Sequence, residues 1–174
     1  EVSGKHREKV RVGQEGDTLV LESIGRVQDR EITVSYPKKT EFEEASVDVV
    51  AGTVNLDDNF YAKKLEVSVA AGEFTNDSTI TAEKAELTVG TGNIDLENLK
   101  VQNLEADCGI GNIDLGIDGK EKDYDYEISC AAGAIDIGDS SFSGLGHEKK
   151  ISNPGSSGKM TFDCGVGNIT VDFE

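Results

Sequence analysis

The sequence has no tryptophan, one methionine and only two prolines in 174 residues. It also lacks any run of about 18 consecutive apolar residues, which excludes a membrane-spanning helix within this stretch. Glycine, by contrast, occurs 20 times. Because glycine weakens helices but suits tight corners between strands, this balance favours β-structure with glycine at its turns.

Basic residues are also few, with 17 lysines and arginines against 34 aspartates and glutamates, and the net charge is −17. Such an acidic surface repels phosphate backbones and anionic lipid headgroups. We therefore expect no nucleic-acid partner. Divalent cations and basic partners remain open, and the charge also accounts for the solubility of an elongated body without any partner.

The motifs that catalysis requires are missing too. The sequence contains neither a Gly-x-Ser-x-Gly nucleophile elbow nor a His-Glu-x-x-His zinc motif. The words "GTGN" and "GIGN" lack the lysine and hydroxyl residue of a phosphate-binding loop. The two histidines, His6 and His147, lie outside the repeats described next. We expect no enzyme, and no catalytic, cofactor-binding or metal-binding residues.

A repeat dominates what the sequence does contain. The words "CGIGNIDL", from Cys108 to Leu115, and "CGVGNITV", from Cys164 to Val171, agree at five positions. Four further segments carry the same pattern around an anchor glycine. The spacings between anchors are 20, 20, 19, 22 and 34 residues, and the anchors are Gly52, Gly72, Gly92, Gly111, Gly133 and Gly167.

Apolar residues alternate with polar ones on both sides of each anchor glycine, which indicates half-buried strands. The alternation changes phase at the glycine, so a corner there would bury both apolar sets. Short apolar pairs such as Ile80 with Ala82 supply a third side. The sequence therefore predicts an all-β fold, a three-sided parallel and right-handed β-solenoid with about 20 residues per coil and about seven to eight coils.

We expect one β-solenoid domain over residues 1–174. Residues 1–40 fit the repeat poorly and are predicted as divergent N-terminal cap coils, residues 45–174 as regular repeats, and a stretch near 143–159 as a loop insertion. The first residues, "EVSGKHREKV", carry neither a methionine nor an apolar signal segment, so we expect a signal or anchor upstream. The final strand, "NITVDFE", has no capping sequence after it and is expected to leave an open edge.

Three columns of the repeat carry groups that could bind a ligand. The cysteines Cys108, Cys130 and Cys164 replace valines of earlier repeats and are predicted as buried thiols, with a strained Cys108–Cys130 bond or a metal as alternatives. Asparagines follow three anchors and are expected to bond their stacked neighbours as a ladder: Asn93, Asn112 and Asn168. Aspartates stand three residues after the anchors Gly92, Gly111 and Gly133, as a solvated face or a weak calcium site: Asp95, Asp114 and Asp136.

The words "GTGNIDL", "GIGNIDL", "GAIDI" and "GVGNITV" resemble the repeats of bacterial adhesin families, including those with a Gly-Ile-Asn head domain. The resemblance covers about residues 45–174. It implies a β-solenoid of the cell envelope, extracytoplasmic and attached through an N-terminal lipid or membrane anchor absent from this stretch. The resemblance assigns no binding residues to this sequence.

Three functions are compatible with these observations. The first is a non-enzymatic cell-surface or envelope module that presents a β-face to an unknown envelope glycan or protein. The second is a self-assembling scaffold, a homo-oligomer that stacks end to end through its open coil. The third is a β-helix enzyme acting on polysaccharide, which is disfavoured because all four arginines lie in the first thirty residues, far from the aspartates.

Overall fold

The computed structural model describes residues 2–5, 10–15, 18–23 and 32–174. It divides the chain into two compact units, Glu1–Thr40 and Glu41–Glu174. Among the described residues the fold is all-β, with no α-helix and a single 3-10 turn at Glu121–Asp123.

The described residues of the first unit include four short strands in two antiparallel pairs. Strand β1 (Val2–Ser3) pairs with β4 (Thr33–Val34), and β2 (Val10–Glu15) pairs with β3 (Thr18–Ser23). An exposed ion pair of 3.0 Å joins the Arg11 guanidinium to the Glu22 carboxylate across the second pair. That these residues cap the repeats stays a prediction.

The second unit holds one seven-stranded sheet that contains all the repeats. Its hydrogen-bonded order is β10, β9, β11, β8, β7 and β5, with β6 also paired to β7. The strands are β5 (Glu41–Val49), β6 (Gly52–Leu56), β7 (Phe60–Asn76), β8 (Ile80–Ile117), β9 (Tyr124–Ile137), β10 (Ser140–Ile151) and β11 (Gly158–Phe173).

The parallel pairs of this sheet follow the register that the repeat predicts. Gly52 lies opposite Gly72, and Gly72 lies opposite Gly92, each a step of 20 residues. In the segment that the sequence predicts as a third side, Phe60 pairs with Ile80 and both side chains are buried. Like residues therefore stack on like, and every apolar column contributes to one continuous core.

Strand β8 holds two repeats and winds back along itself with a step of 19 residues. The amide of Asn112 donates to the side-chain oxygen of Asn93 at 3.1 Å. At the next corner the backbone N–H of Asp118 donates to the carbonyl of Leu99 at 3.0 Å. The backbone thus continues the same parallel ladder within one unbroken strand.

The stretch predicted as a loop insertion, 143–159, is instead mostly strand. After β9 the chain reverses in a two-residue turn at Gly138 and Asp139, where Gly138 has a φ of +52°, a value that favours glycine. Strand β10 then runs antiparallel to β9, with Ser140 opposite Ile137 and Ile151 opposite Tyr126. The sheet is therefore mixed and not wholly parallel.

The last repeat does not stack last, although a solenoid that adds one coil after another in chain order would place it there. Strand β11 pairs in parallel with β8 on one side and with β9 on the other. The expected open edge at "NITVDFE" is wrong, because both edges of β11 are hydrogen-bonded. The reason is the hairpin: β10 occupies one edge of β9, so the returning chain can only add at the other edge, between β9 and β8.

The connection from β10 to β11 is tied to the start of β9, which directs the chain into this slot. The carboxylate of Asp125 accepts bonds of 2.8 Å from the backbone N–H of Asn153 and from the hydroxyl of Ser156. The side-chain amide of Asn153 donates to the carbonyl of Tyr124 at 2.7 Å. These bonds hold the connection beside the point where β11 begins.

Three buried thiols lie side by side on β11 and on its two neighbours, β8 and β9. Cys164 lies opposite both Cys108 and Cys130, and all three are free and buried, as the sequence predicts. Cys108 and Cys130 are therefore not neighbours, and the alternative of a bond between them is wrong. Burial is the main cause that raises the pKa of the Cys164 thiol to about 12, so this thiol stays protonated and unreactive.

Candidate functional site

The aspartate column is interrupted in the structure. Thr170 lies opposite both Asp114 and Asp136, so only Asp95 and Asp114 come from adjacent repeats. Strands are about 4.8 Å apart, which separates Asp114 from Asp136 by roughly twice that distance. Among the described residues no group of three histidines, cysteines or acids could hold a metal ion. The three aspartates therefore do not form one continuous column.

The predicted asparagine ladder is confirmed. Besides the bond from Asn112 to Asn93, the amide of Asn168 donates to the side-chain oxygen of Asn112 at 3.2 Å. The three amides are contiguous only because β11 lies directly beside β8. They form a row of polar groups on the outer surface at the corner of the sheet.

An exposed aliphatic row lies next to this amide ladder, and sequence reasoning missed it. Ile110 pairs with Val166, and Leu145 pairs with Ala132, at the position just before the anchor glycine. The exposed fraction is 59% for Ile110, 55% for Val166 and 89% for Leu145. We call this set the aliphatic ridge: Ile110, Val166, Ala132 and Leu145.

Glycines border the aliphatic ridge on both sides. Ile110 lies between Gly109 and Gly111, and Val166 lies between Gly165 and Gly167. A glycine has no side chain to shield its neighbours, so the isoleucine and valine stand above nearly bare backbone. The sequence signal was the apolar residue in "GIG" and "GVG", which breaks the alternation of buried positions.

Carboxylates lie beyond the glycines. Asp107 and Asp163 pair across β8 and β11 on one side, and Asp114 lies on the other. All three are exposed, and the ion pairs between described residues use other acids. Partial burial of its carboxyl group is the largest cause that raises the pKa of Asp107, followed by the charges of Glu105 and Asp163. The surface around the aliphatic ridge is thus crowded with like charge.

A shallow groove of about 370 Å³ lies further along β9. It forms where the small side chains of Ser129 and Thr161 leave a depression between charged neighbours such as Glu127, Glu148 and Asp163. None of the residues lining it belongs to the aspartate column. His147, expected in a loop, is half-buried on β10 opposite Cys130, and His6 lies outside the described residues.

Glu127 on β9 forms ion pairs with both of the strands that flank β9. Its carboxylate lies 2.9 Å from the ammonium of Lys150 on β10 and 2.8 Å from that of Lys159 on β11. Hydrogen bonds from Lys159 and then Lys150 are the main causes that lower the pKa of Glu127 to about 2. One carboxylate thus joins both neighbours of β9.

We expect this pair of contacts to make stability depend on pH. Because the folded pKa lies below the ordinary value of 4.5, the stabilisation is present above pH 4.5 and is lost as the pH falls towards 2. Exposure to solvent keeps the effect modest. Carboxyl NMR titration should give a midpoint near pH 2, and Glu127→Gln should flatten the loss of stability in this window. A midpoint near 4.5 would contradict the contacts.

Strand β10 closes one end of the sheet with features that hinder further pairing. Lys149 lies opposite buried Ile128, and its ammonium lies 5.0 Å from the ring centroid of Phe142. Charged residues at such inward positions of an edge strand disfavour addition of another strand. Gly146, with a φ of +68°, further disturbs the regular edge.

Replacing Lys149 by valine should therefore promote self-association. We expect the native chain to scatter light as a monomer of 18.6 kDa at all concentrations, and Lys149→Val to form dimers or larger species as concentration rises. Lys120→Val is the control, because it removes the same charge away from the edge. Equal association of the two variants would show that charge alone, and not the edge, is responsible.

Comparison with protein-family models identifies the family of this chain. The family model described as Toastrack DUF4097 matches residues 1–146. No curated protein and no solved structure matches the chain. These findings give no support to the adhesin and Gly-Ile-Asn families that the repeat words resemble. In the part of the chain that the structure describes, no helix is long and apolar enough to span a bilayer.

Proposed function

The chain belongs to the Toastrack DUF4097 family, whose function is unknown, and we propose that it is a non-enzymatic surface or envelope module that presents one β-face to a partner. The observation that carries the proposal is the aliphatic ridge. Exposed aliphatic side chains are ordinary when scattered, whereas a contiguous patch rimmed by polar groups marks an interaction surface. Here, Ile110 and Val166 lie on neighbouring strands, and Leu145 lies two strands further on, beyond the exposed Ala132 of β9.

We further propose that residues 41–174 wind as a three-sided, right-handed β-solenoid interrupted by β10. Parallel steps of 19 and 20 residues, buried columns and the β-solenoid-like fold of the family support this. A solenoid repeats each exposed position at intervals of about 4.8 Å, and so turns single residues into rows. The amide ladder and the aliphatic ridge are two such rows.

The scaffold alternative loses the observation on which it depended. It required an open coil at the C-terminal repeat, and that strand is paired on both edges. For the enzyme alternative, the groove beside β9 contains carboxylates and lysines, but it lies away from the aspartate column. We therefore propose that the protein acts by binding at its outer surface.

Localisation and binding test this proposal together. The full-length protein should fractionate with the cell envelope and be cleaved by protease added to intact cells. Isolated envelopes should bind the labelled domain saturably, and Ile110→Thr combined with Val166→Thr should weaken that binding. The proposed function would be refuted if the protein were found only in the cytosol. It would also be refuted if these substitutions left the affinity for envelopes unchanged.

A further inference from the structure

The aliphatic ridge restricts the chemistry of the partner through its surroundings. With strands about 4.8 Å apart, its four positions span roughly 14 Å, which suits insertion into an apolar groove of another protein. The apolar part alone would not select a partner. Selection must come from the groups that border it, and these are glycines, side-chain amides and carboxylates.

The carboxylates flank the aliphatic ridge on both sides. Asp107 and Asp163 precede it along their strands, and Asp114 follows it on β8. A partner that covers the ridge brings its own rim close to these acids. Lysine or arginine in that rim would offset the repulsion from Glu105 and Asp163, which adds to partial burial in raising the pKa of Asp107, whereas acids there would increase that repulsion.

The same charges exclude other occupants. A second copy of this chain carries a net charge of −17 and would place like charges together. Anionic lipid headgroups and nucleic acids are repelled for the same reason. A protein segment with an apolar centre and a basic rim is complementary in both respects.

We propose that the aliphatic ridge docks a basic, amphipathic protein segment whose apolar side chains cover Ile110, Val166 and Leu145. The proposal rests on the proposed function, because it names the partner class of the same face. Lysines or arginines of that segment pair with Asp107, Asp163 and Asp114. Binding is therefore strengthened by low salt and weakened by screening.

A synthetic amphipathic peptide of leucine and lysine serves as the probe. It is titrated into the full chain with methyl-labelled isoleucine, leucine and valine, and shifts are followed by NMR. We expect the methyl signals of Ile110, Val166 and Leu145 to shift most, with an affinity that falls as salt rises. The same peptide with glutamate in place of lysine should bind at least tenfold more weakly.

Substitutions separate the two parts of the interaction. The triple variant Ile110→Thr, Leu145→Thr and Val166→Thr should weaken binding at least tenfold, which corresponds to about 1.4 kcal/mol. Val50→Thr is its control, because Val50 is 76% exposed but lies outside the ridge. Asp107→Asn with Asp163→Asn should reduce the salt dependence, with Asp58→Asn as the control.

Three outcomes would overturn the proposal: shifts centred elsewhere, unchanged affinity in the triple variant, or equal binding of the glutamate peptide. The test also distinguishes failure of the proposed partner class from failure of the proposed function. If the triple variant loses envelope binding while the lysine peptide does not bind, the face is functional and only the partner class is wrong. If neither envelope nor peptide binding depends on the ridge, the proposed function fails as well.

Discussion

Replacing Gly92 by alanine is expected to lower the free energy of unfolding by about 3 kcal/mol or more. A methyl group at Gly92 would overlap the carbonyl oxygen of Gly72 and lie 2.9 Å from its amide nitrogen. Both atoms belong to the backbone of the neighbouring strand and cannot move aside as a flexible side chain would. The corners at Gly72 and Gly92 must therefore separate, and this breaks the hydrogen bonds between the two strands before and after the corner.

Gly90→Ala is the matched control for this prediction, because it changes the same residue type two positions away in β8. A methyl group there would lie 3.0 Å from the nearest atom, the carbonyl oxygen of Ala70. The neighbouring repeat already has alanine at that column. Chemical denaturation followed by circular dichroism compares the two variants. Similar destabilisation by both would show that the corner is looser than the structure indicates.

Removing β11 should have the largest effect of any change considered. A chain that ends at Ile151 loses five fully buried side chains: Met160, Phe162, Cys164, Ile169 and Val171. It also leaves β9 and β10 as a hairpin without a neighbour, and an isolated hairpin is only marginally stable in water. We expect Tyr124–Ile151 to unfold, whereas β5, β6 and β7 keep their order.

Amide hydrogen exchange measures this result. Protection in β9 and β10 should fall by several orders of magnitude in the shortened chain. A synthetic peptide of residues 158–173 should restore it, which serves as the control. If the repeats stacked in chain order, β9 would lie on β8 and would keep its protection without β11. Retained protection would thus contradict the strand order.

The sequence predicts the local structure and register of this fold well. The alternation of apolar residues places Val67, Leu87 and Ile128 in the core, and all three are buried. The spacing of anchor glycines aligns each repeat with its neighbour. Burial and register are predictable because they depend on local sequence. The strand period and the corner geometry are both determined within each repeat of about 20 residues.

The order of the strands could not be derived from the repeat alone. Similar repeats present similar edges, so the period permits stacking in chain order and also permits insertion. Two signals pointed to insertion: the Gly-Asp turn after "AIDI", typical of a two-residue hairpin, and the likeness between "CGIGNIDL" and "CGVGNITV". These two words are direct neighbours in register, from Cys164 opposite Cys108 to Val171 opposite Leu115.

The candidate site was predictable only in part. The asparagine ladder followed from the repeat, since identical amides in neighbouring strands can bond each other. The aliphatic ridge did not, because Leu145 lies on a strand that runs the opposite way and matches no repeat. Its contribution depends on the antiparallel pairing of β10 with β9, which no periodic pattern encodes.

Methyl NOE contacts among three buried isoleucines test the strand order most directly. Ile169 lies opposite Ile113 on β8 and opposite Ile135 on β9. With strands about 4.8 Å apart, we predict NOEs from Ile169 to both partners and none between Ile113 and Ile135. A strong contact between Ile113 and Ile135, with none from Ile169 to Ile113, would show stacking in chain order and would break the aliphatic ridge apart.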